Sequence, residues 1–189
     1  MGRPKLLLPW GSNTVIEQVL DAWRASRVSR TVVTVHPVDT ALAEVCRKAG
    51  VDVVVTRPPP EDMKASVLQG LDHLASAYHP TADDVWLLAP ADMPLLTTGV
   101  IDRVLDAWLA GPGEIVVPCG QCRRGHPVAF PWPLVEAARR LAPDQGLNQL
   151  LTRHPVRLIE LGEELTLTDL DTPEEYMRLH DAAGPEAGG

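Results

Sequence analysis

The chain of 189 residues has a formal net charge of −8, and 45% of its residues are hydrophobic. This composition is typical of one globular domain, and the acidic balance disfavours non-specific binding to nucleic acid or acidic membranes. Its apolar runs are far shorter than the roughly 20 residues that span a bilayer. The three cysteines are an odd number, which argues against a secreted disulfide framework and favours a reducing cytoplasm.

Short β-branched runs alternate with longer stretches in which apolar residues recur three and four positions apart. This alternation predicts an α/β fold: a doubly wound, mostly parallel sheet with helices on both faces. The predicted strands are Thr31–Val35, Val51–Thr56, Val85–Ala89, Glu114–Pro118 and Val156–Leu161, with a short strand at Val128–Phe130. The predicted helices are Asn13–Ala25, Asp39–Ala49, Lys64–Ala77, Thr97–Leu109, Pro133–Leu141 and Leu147–His154.

Residues 1–182 are expected to form a single domain, and the tail 183–189 (AGPEAGG) is expected to be disordered. In doubly wound sheets, ligands bind beyond the carboxyl ends of the strands. The first predicted helix, Asn13–Ala25, has no strand before it. The chain therefore starts where the loop after a first strand would end.

Asp92 follows the apolar strand Val85–Ala89 in the turn Pro90–Leu95 (PADMPL). A carboxylate at the carboxyl end of a buried strand is well placed to hold a divalent cation. The alternative is that Asp92 caps the following helix, although Thr97 and Thr98 are closer to its start.

Asp169 and Asp171 lie in a second acidic segment, Asp169–Glu175 (DLDTPEE). If this segment is extended, both carboxylates share one face and can approach a metal. The alternative is that Asp171 or Thr172 caps a helix that has Pro173 in its first turn. The two roles are compatible.

Three weaker signals lie elsewhere in the chain. Lys5 follows a proline and is a compact cation suited to phosphate oxygens. The segment Arg123–Pro127 (RRGHP) is either an anion contact or a solvated hairpin tip. Ser66 lies in the first turn of a helix, where polar ligand edges bind, although its hydroxyl can equally bond to the backbone. The lone C-x-x-C at Cys119–Cys122 lacks the second ligand pair of a zinc site and the helix start of a thioredoxin-like motif.

Together these segments resemble the nucleotidyltransferase family that includes molybdenum-cofactor cytidylyltransferase and the related guanylyltransferase. Met1–Lys5 (MGRPK) matches the end of the family's opening motif, L-A-A-G-x-S-x-R-M-G-x-P-K. Further segments follow in the family's order: Met63–Leu71 resembles M-x-x-S-x-x-x-G-L, Ala91–Pro94 resembles G-D-M-P with Ala91 for Gly, Gly125–Val128 is similar to the G-H-P-V of the cytidylyl branch, Asp144–Leu147 is similar to D-x-G-A/L, and Asp169–Glu175 is similar to D-x-D-T-P-E-D with Glu175 for Asp. No single motif is specific, but their order is.

The resemblance implies a Rossmann-like fold of the nucleotide-diphospho-sugar transferase type that lacks its first strand and most of its Gly-rich loop. Since that strand is expected near the middle of the sheet, its absence should leave an apolar slot. The missing loop would supply backbone N–H groups to the triphosphate and base. Met1 coincides with an internal Met of the motif, as a misplaced start or a shortened form would produce.

The resemblance also implies the chemistry: transfer of a nucleotidyl group from a nucleoside triphosphate to a small-molecule acceptor, with Mg²⁺ bound and pyrophosphate released. The implied metal ligands are Asp92, Asp169 and Asp171. The implied nucleotide contacts are Arg3, Lys5, Ser66, Ala91 and Asp92, with Lys5 and Asp92 as the catalytic residues. The implied acceptor contacts are Arg124 and His126.

The Gly125–His126–Pro127 segment favours CTP and a molybdopterin-type acceptor. A sugar phosphate or another small molecule fits the same residues. A degenerate family member that only binds a partner is the alternative from another class. The chain contains no G-x-G-x-x-G, which argues against a dinucleotide-binding enzyme. No nucleic-acid or membrane partner is expected.

Overall fold

The computed structural model describes residues 4–120, 123–162 and 172–183. The strands are β1 (Pro9–Trp10), β2 (Asn13–Thr14), β3 (Val32–Val35), β4 (Asp52–Val55), β5 (Val85–Leu88), β6 (Ile115–Gly120), β7 (Arg123–Arg124), β8 (Val128–Pro131) and β9 (Val156–Glu160). The helices are α1 (Val15–Ala25), α2 (Thr40–Lys48), α3 (Met63–Tyr78), α4 (Thr98–Leu109), α5 (Leu134–Arg139), α6 (Leu150–Arg153) and α7 (Pro173–Ala183), with 3-10 turns at Lys5–Leu7 and Leu147–Gln149. Residues 184–189 of the predicted tail lie outside the described ranges, and Ala183, the first residue of that tail, is the last residue of α7.

The strands form a mixed sheet in two parts. β3 and β4 pair in parallel, and β6 and β9 also pair in parallel. β8 runs antiparallel to both β5 and β6, which places it between them. The predicted α/β class with helices on both faces is confirmed, and the antiparallel β8 makes the sheet mixed.

Helices cover both faces of the sheet because the strands alternate their side chains. On one face, α3, α5 and α6 pack on Trp86, Ile115 and Val117. On the other face, α4 packs on Val116 and Ala129. α1 and α2 pack on Val35 of β3. In the described ranges, no helix is long and apolar enough to cross a bilayer.

Among the described strands, β3 pairs only with β4 and β5 pairs only with β8. Each therefore keeps one unpaired edge. Several apolar residues of these strands, including Val33 and Leu87, are only partly buried. α3 contacts both parts, because its Leu71 packs with Trp86 of β5 and its Gly70 lies against Thr34 of β3. The apolar slot expected from a missing first strand stays a prediction.

The first helix begins two residues later than the sequence pattern predicts. Asn13 and Thr14 instead pair with Trp10 and Pro9 in a small hairpin. Thr14 then caps α1 through a reciprocal capping box with Glu17, which satisfies backbone N–H groups at the helix start.

The carboxyl-terminal half of α3 is tied to the start of β4. The hydroxyl of Tyr78 donates a hydrogen bond to Asp52 Oδ2 at 2.6 Å, and His73 Nε2 lies 3.2 Å from the same oxygen. The hydrogen bond from Tyr78 is the main cause that lowers the pKa of Asp52, and His73 adds to it. The ionised carboxylate therefore helps to hold α3 on β4.

We expect Asp52→Asn to lower the free energy of unfolding at pH 6. The difference from the parent protein should become smaller as the pH falls below about 4. A lowered carboxyl pKa contributes stability above the unfolded pKa, and that contribution is lost as the pH falls through the folded pKa. Urea denaturation at pH 6 and pH 3.5 measures the difference. The exposed Glu61→Gln is the control and should show no such narrowing; a deficit independent of pH would contradict the assignment.

Candidate functional site

Asp92 lies at the carboxyl edge of the sheet, four residues beyond the end of β5. Pro90 and Pro94 restrict the backbone on either side of it. Met93 and Leu96 are buried between α1 and α4 and anchor the turn from below. The partly exposed carboxylate of Asp92 is therefore carried by a turn with apolar residues that are buried in the core.

Lys5 reaches this carboxylate from the start of the described chain. Its 3-10 turn is anchored by Leu6 and Leu7, which pack on the apolar cluster of α1 and β3. Lys5 Nζ lies 2.6 Å from Asp92 Oδ2, with the two side chains 38% and 22% exposed. The structure therefore brings together two predicted site residues that are far apart in sequence.

The Lys5–Asp92 pair is accessible to a ligand because neither side chain is buried. An ion pair with this exposure contributes little to folding. The ammonium group contacts a carboxylate oxygen, and carboxylate oxygens are also the ligands that hard divalent cations prefer. The same Lys5 is able to meet phosphate oxygens when they arrive.

His126 is placed near the same edge. Its Nδ1 lies 3.3 Å from the carbonyl oxygen of Leu88, the last residue of β5. The backbone N–H of the buried Gly125 donates to the carbonyl of Pro118 at 2.8 Å, which fixes the entry into β8. Arg124 is exposed on β7 opposite Cys119 of β6, as in the hairpin-tip alternative.

Ser66 contacts the sheet rather than open space. Its Oγ lies 2.8 Å from Oγ1 of Thr34 on β3. Ala91 is half-buried and packs in the cluster that contains Val35. The contact of Ser66 and Ala91 with a nucleotide stays a prediction.

The family is decided by a sequence comparison. The profile of the MobA-like NTP transferase domain matches residues 1–158. The chain belongs to this family. It is a nucleotidyltransferase with a Rossmann-like fold.

Solved structures of similar proteins support this assignment. Rv0371c from Mycobacterium tuberculosis H37Rv is 29% identical over 96% of this chain and 91% of its own, with a TM-score of 0.81. Its complex with manganese is 29% identical over 95% and 93%, with a TM-score of 0.73. A 4-diphosphocytidyl-2C-methyl-D-erythritol synthase, 19% identical over 95% of both chains with a TM-score of 0.75, shares the fold. No curated protein gives a significant match.

Three residues predicted for the transferase site, Arg3, Asp169 and Asp171, lie outside the described residues. In the described ranges, no three His, Cys, Asp or Glu residues are grouped as a metal site. The predicted helix cap beside the acidic pair is confirmed, because Thr172 and Glu175 form a reciprocal capping box at the start of α7.

The cysteines show no sign of a metal centre in the described ranges. Cys46 is buried among apolar side chains of α1, α2 and β3, and this burial raises the pKa of its thiol to about 11. Such a thiol is a poor nucleophile and ligand. Cys119 contacts β9 instead, and Cys122 lies outside the described residues.

The contacts of Lys64 are not predicted by the sequence analysis. It lies in the first turn of α3, two positions before Ser66, and donates hydrogen bonds to the backbone carbonyls of residues 142, 143 and 145. One signal was available: a lysine near a helix N-terminus opposes the helix dipole and so needs a partner elsewhere.

We expect Asp92→Asn and Lys5→Met each to change the free energy of unfolding by less than about 1 kcal/mol, with a coupling energy in the same range. The physical reason is the solvent exposure of both groups. A double-mutant cycle in urea measures both quantities. A loss of several kcal/mol from either variant would show that the pair is structural and not kept for a ligand.

Proposed function

We propose that this nucleotidyltransferase moves a nucleotidyl group from a nucleoside triphosphate, CTP first, to a phosphate or hydroxyl oxygen of a small molecule. The observation that carries the proposal is the accessible Lys5–Asp92 pair at the carboxyl edge of the sheet. In a member of the MobA-like NTP transferase family, this edge is the position where ligands of doubly wound sheets bind.

The reaction depends on charge neutralisation and alignment more than on acid–base chemistry. Lys5 contacts the triphosphate and neutralises part of its charge, with Arg3 as a second cation. The acceptor oxygen forms a bond to the α-phosphorus, and the bond from that phosphorus to the β-phosphate oxygen breaks. The electron pair leaves with pyrophosphate, and a hydroxyl acceptor loses its proton to solvent.

Asp92, together with Asp169 or Asp171, is proposed to hold Mg²⁺. The donor set fits, because carboxylate oxygens are the ligands that hard divalent cations prefer, and the Asp92 carboxylate already holds a cationic group at 2.6 Å. A bound divalent ion supplies electrophilic stabilisation of the phosphate oxygens. The manganese complex of the M. tuberculosis relative agrees with such a site.

CTP and the acceptor are supported by different features. Two fold neighbours, one named a cytidylyltransferase and one named a CMP:2-keto-3-deoxy-manno-octonic acid synthetase complexed with CTP, agree with a cytidine nucleotide. Gly125–Val128 favours a molybdopterin-type acceptor, with His126 and Arg124 on the acceptor side. The names of the same fold neighbours make a sugar-derived acceptor the second candidate.

The proposal extends to a strand and Gly-rich loop that complete the nucleotide site. The unpaired edges of β3 and β5 in the described sheet support this part. A version of the chain that carries the motif L-A-A-G-x-S-x-R before Met1 is therefore expected to bind nucleotide more tightly than the present chain.

We expect calorimetry to detect binding of CTP with Mg²⁺ or Mn²⁺, and to detect weaker or no binding of GTP and ATP. Asp92→Asn should remove the metal-dependent part of this binding while the fold persists. The matched control is Asp83→Asn, an exposed carboxylate just before the opposite end of β5, which should bind as the parent does.

Two outcomes would contradict the proposal. Unchanged metal-dependent binding by Asp92→Asn would remove Asp92 from the metal role. Absence of binding to CTP, GTP and ATP in both the present chain and the extended version would favour the degenerate, partner-binding alternative.

A further inference from the structure

Lys64 is held by one loop through three hydrogen bonds. Its ammonium donates to the backbone carbonyl oxygens of Ala142 at 2.7 Å, Gln145 at 2.9 Å and Pro143 at 3.3 Å. An ammonium group has three N–H donors, so these contacts use its full capacity. The side chain is half-buried, unlike that of the exposed Lys48.

The position of Lys64 in α3 is electrostatically unfavourable. It is the second residue of α3, where the positive end of the helix dipole disfavours a cation. The N-terminus of α3 is already capped by Asp62, whose Oδ1 accepts from the N–H of Ala65 at 2.7 Å. The contacts that compensate Lys64 therefore come from the loop.

The loop 142–146 is braced internally and joined to α3 by this lysine. Gln145 Oε1 accepts from the N–H of Ala142 at 3.2 Å and from Arg153 Nη2 at 2.9 Å. Directly after the loop, Leu147 and Leu150 pack with Leu71 of α3 in one buried cluster. Loop and helix thus form a continuous surface.

This surface lies at the functional edge of the sheet. α3 follows β4, so its N-terminus is at the carboxyl ends of the strands, as Asp92 is. Ser66 lies three positions after Met63, the first residue of the helix, and the exposed Asp144 lies in the loop. Ser66 and the loop that holds Lys64 therefore lie at the same end of α3.

We propose that Lys64 is a positioning residue that fixes the loop 142–146 against the N-terminus of α3 as one wall of the nucleotide site. The inference rests on the proposed function for the identity of the ligand. The three carbonyl contacts carry the positioning role independently of it.

The test uses Lys64→Met, which keeps the length of the side chain but has no donors, and Lys64→Arg, which keeps donors. Lys48→Met is the matched control, because Lys48 forms only an exposed pair with Glu44. Hydrogen exchange of the amides 142–149 reports the loop, and calorimetry with CTP and Mn²⁺ reports the nucleotide site. Both are run on the full chain at a temperature where every variant is folded.

For Lys64→Met we expect exchange in the loop to become about tenfold faster and the Kd for CTP to rise about tenfold, the effect of losing hydrogen bonds to a charged group. Lys64→Arg should restore the exchange rate and the Kd to within about threefold of the parent, because the guanidinium keeps N–H donors for the carbonyl oxygens of the loop. Lys48→Met should change neither.

The outcomes separate this inference from the proposed function. Faster exchange without a change in Kd would show that the loop is no wall of the site, and unchanged exchange would show that Lys64 does not hold it. Either result overturns the inference. Absence of CTP binding by both the unaltered chain and the extended version would overturn the nucleotide wall together with the proposed function, whatever the exchange rates.

Discussion

The close approach of α3 to β3 is the constraint on which the two parts of the sheet depend. Gly70 makes this approach possible, because a Cβ at that position would lie only 3.1 Å from Thr34 Cγ2. At this short range, the Ser66 hydroxyl meets that of Thr34, and Tyr78 reaches Asp52 on β4. Leu71, the next residue after Gly70, packs in the cluster that contains Trp86 of β5. One helix thus contacts both parts of the sheet, β3 and β5, which are not hydrogen-bonded to each other.

The polar side chains of α3 extend this role to the loops. Gln69 accepts from the N–H of Arg57 and donates to the carbonyl of Pro58, which fixes the segment that leads from β4. Lys64 performs the same function for the loop 142–146. α3 therefore supports two loops at its N-terminal half, and support of loops by a helix favours precise placement of a ligand.

The sequence could predict the longer elements because their burial is periodic. Val32–Val35 and Val85–Leu88 are mainly apolar on both faces. This pattern can be recognised in the sequence without knowing which strands lie beside them. The same pattern carries no direction, so the antiparallel path of β8 could not be deduced from it. The hairpin of Pro9–Trp10 and Asn13–Thr14 was missed because two-residue strands have no period to detect.

The site was predictable in part for a comparable reason. Asp92 was found from its place after a buried strand, and the importance of Lys5 came from the order of motifs, while their pairing depends on a fold that joins distant segments. The contact of the Ser66 hydroxyl with Thr34 could not be predicted either, because it joins a helix to a strand 32 positions away, and the contact of Ser66 with a base stays a prediction. The partners of Lys64 lie some 80 positions away in a loop of ordinary composition, and local sequence gives no measure of that distance.

The accessibility of the lysine amines to a reagent follows from these contacts. Lys5, Lys48 and Lys64 are the lysines of the whole sequence. Lys5 is engaged by Asp92 and Lys64 by three carbonyls, whereas the Lys48 side chain is 74% exposed at the end of α2. Among the lysines, an acylating dye or an activated resin is therefore expected to react fastest at Lys48, whose side chain is the most exposed of the three. Since α2 ends at the amino-terminal edge of the sheet, such a reagent would tether the molecule by the side opposite Asp92 and leave its carboxyl edge facing solution.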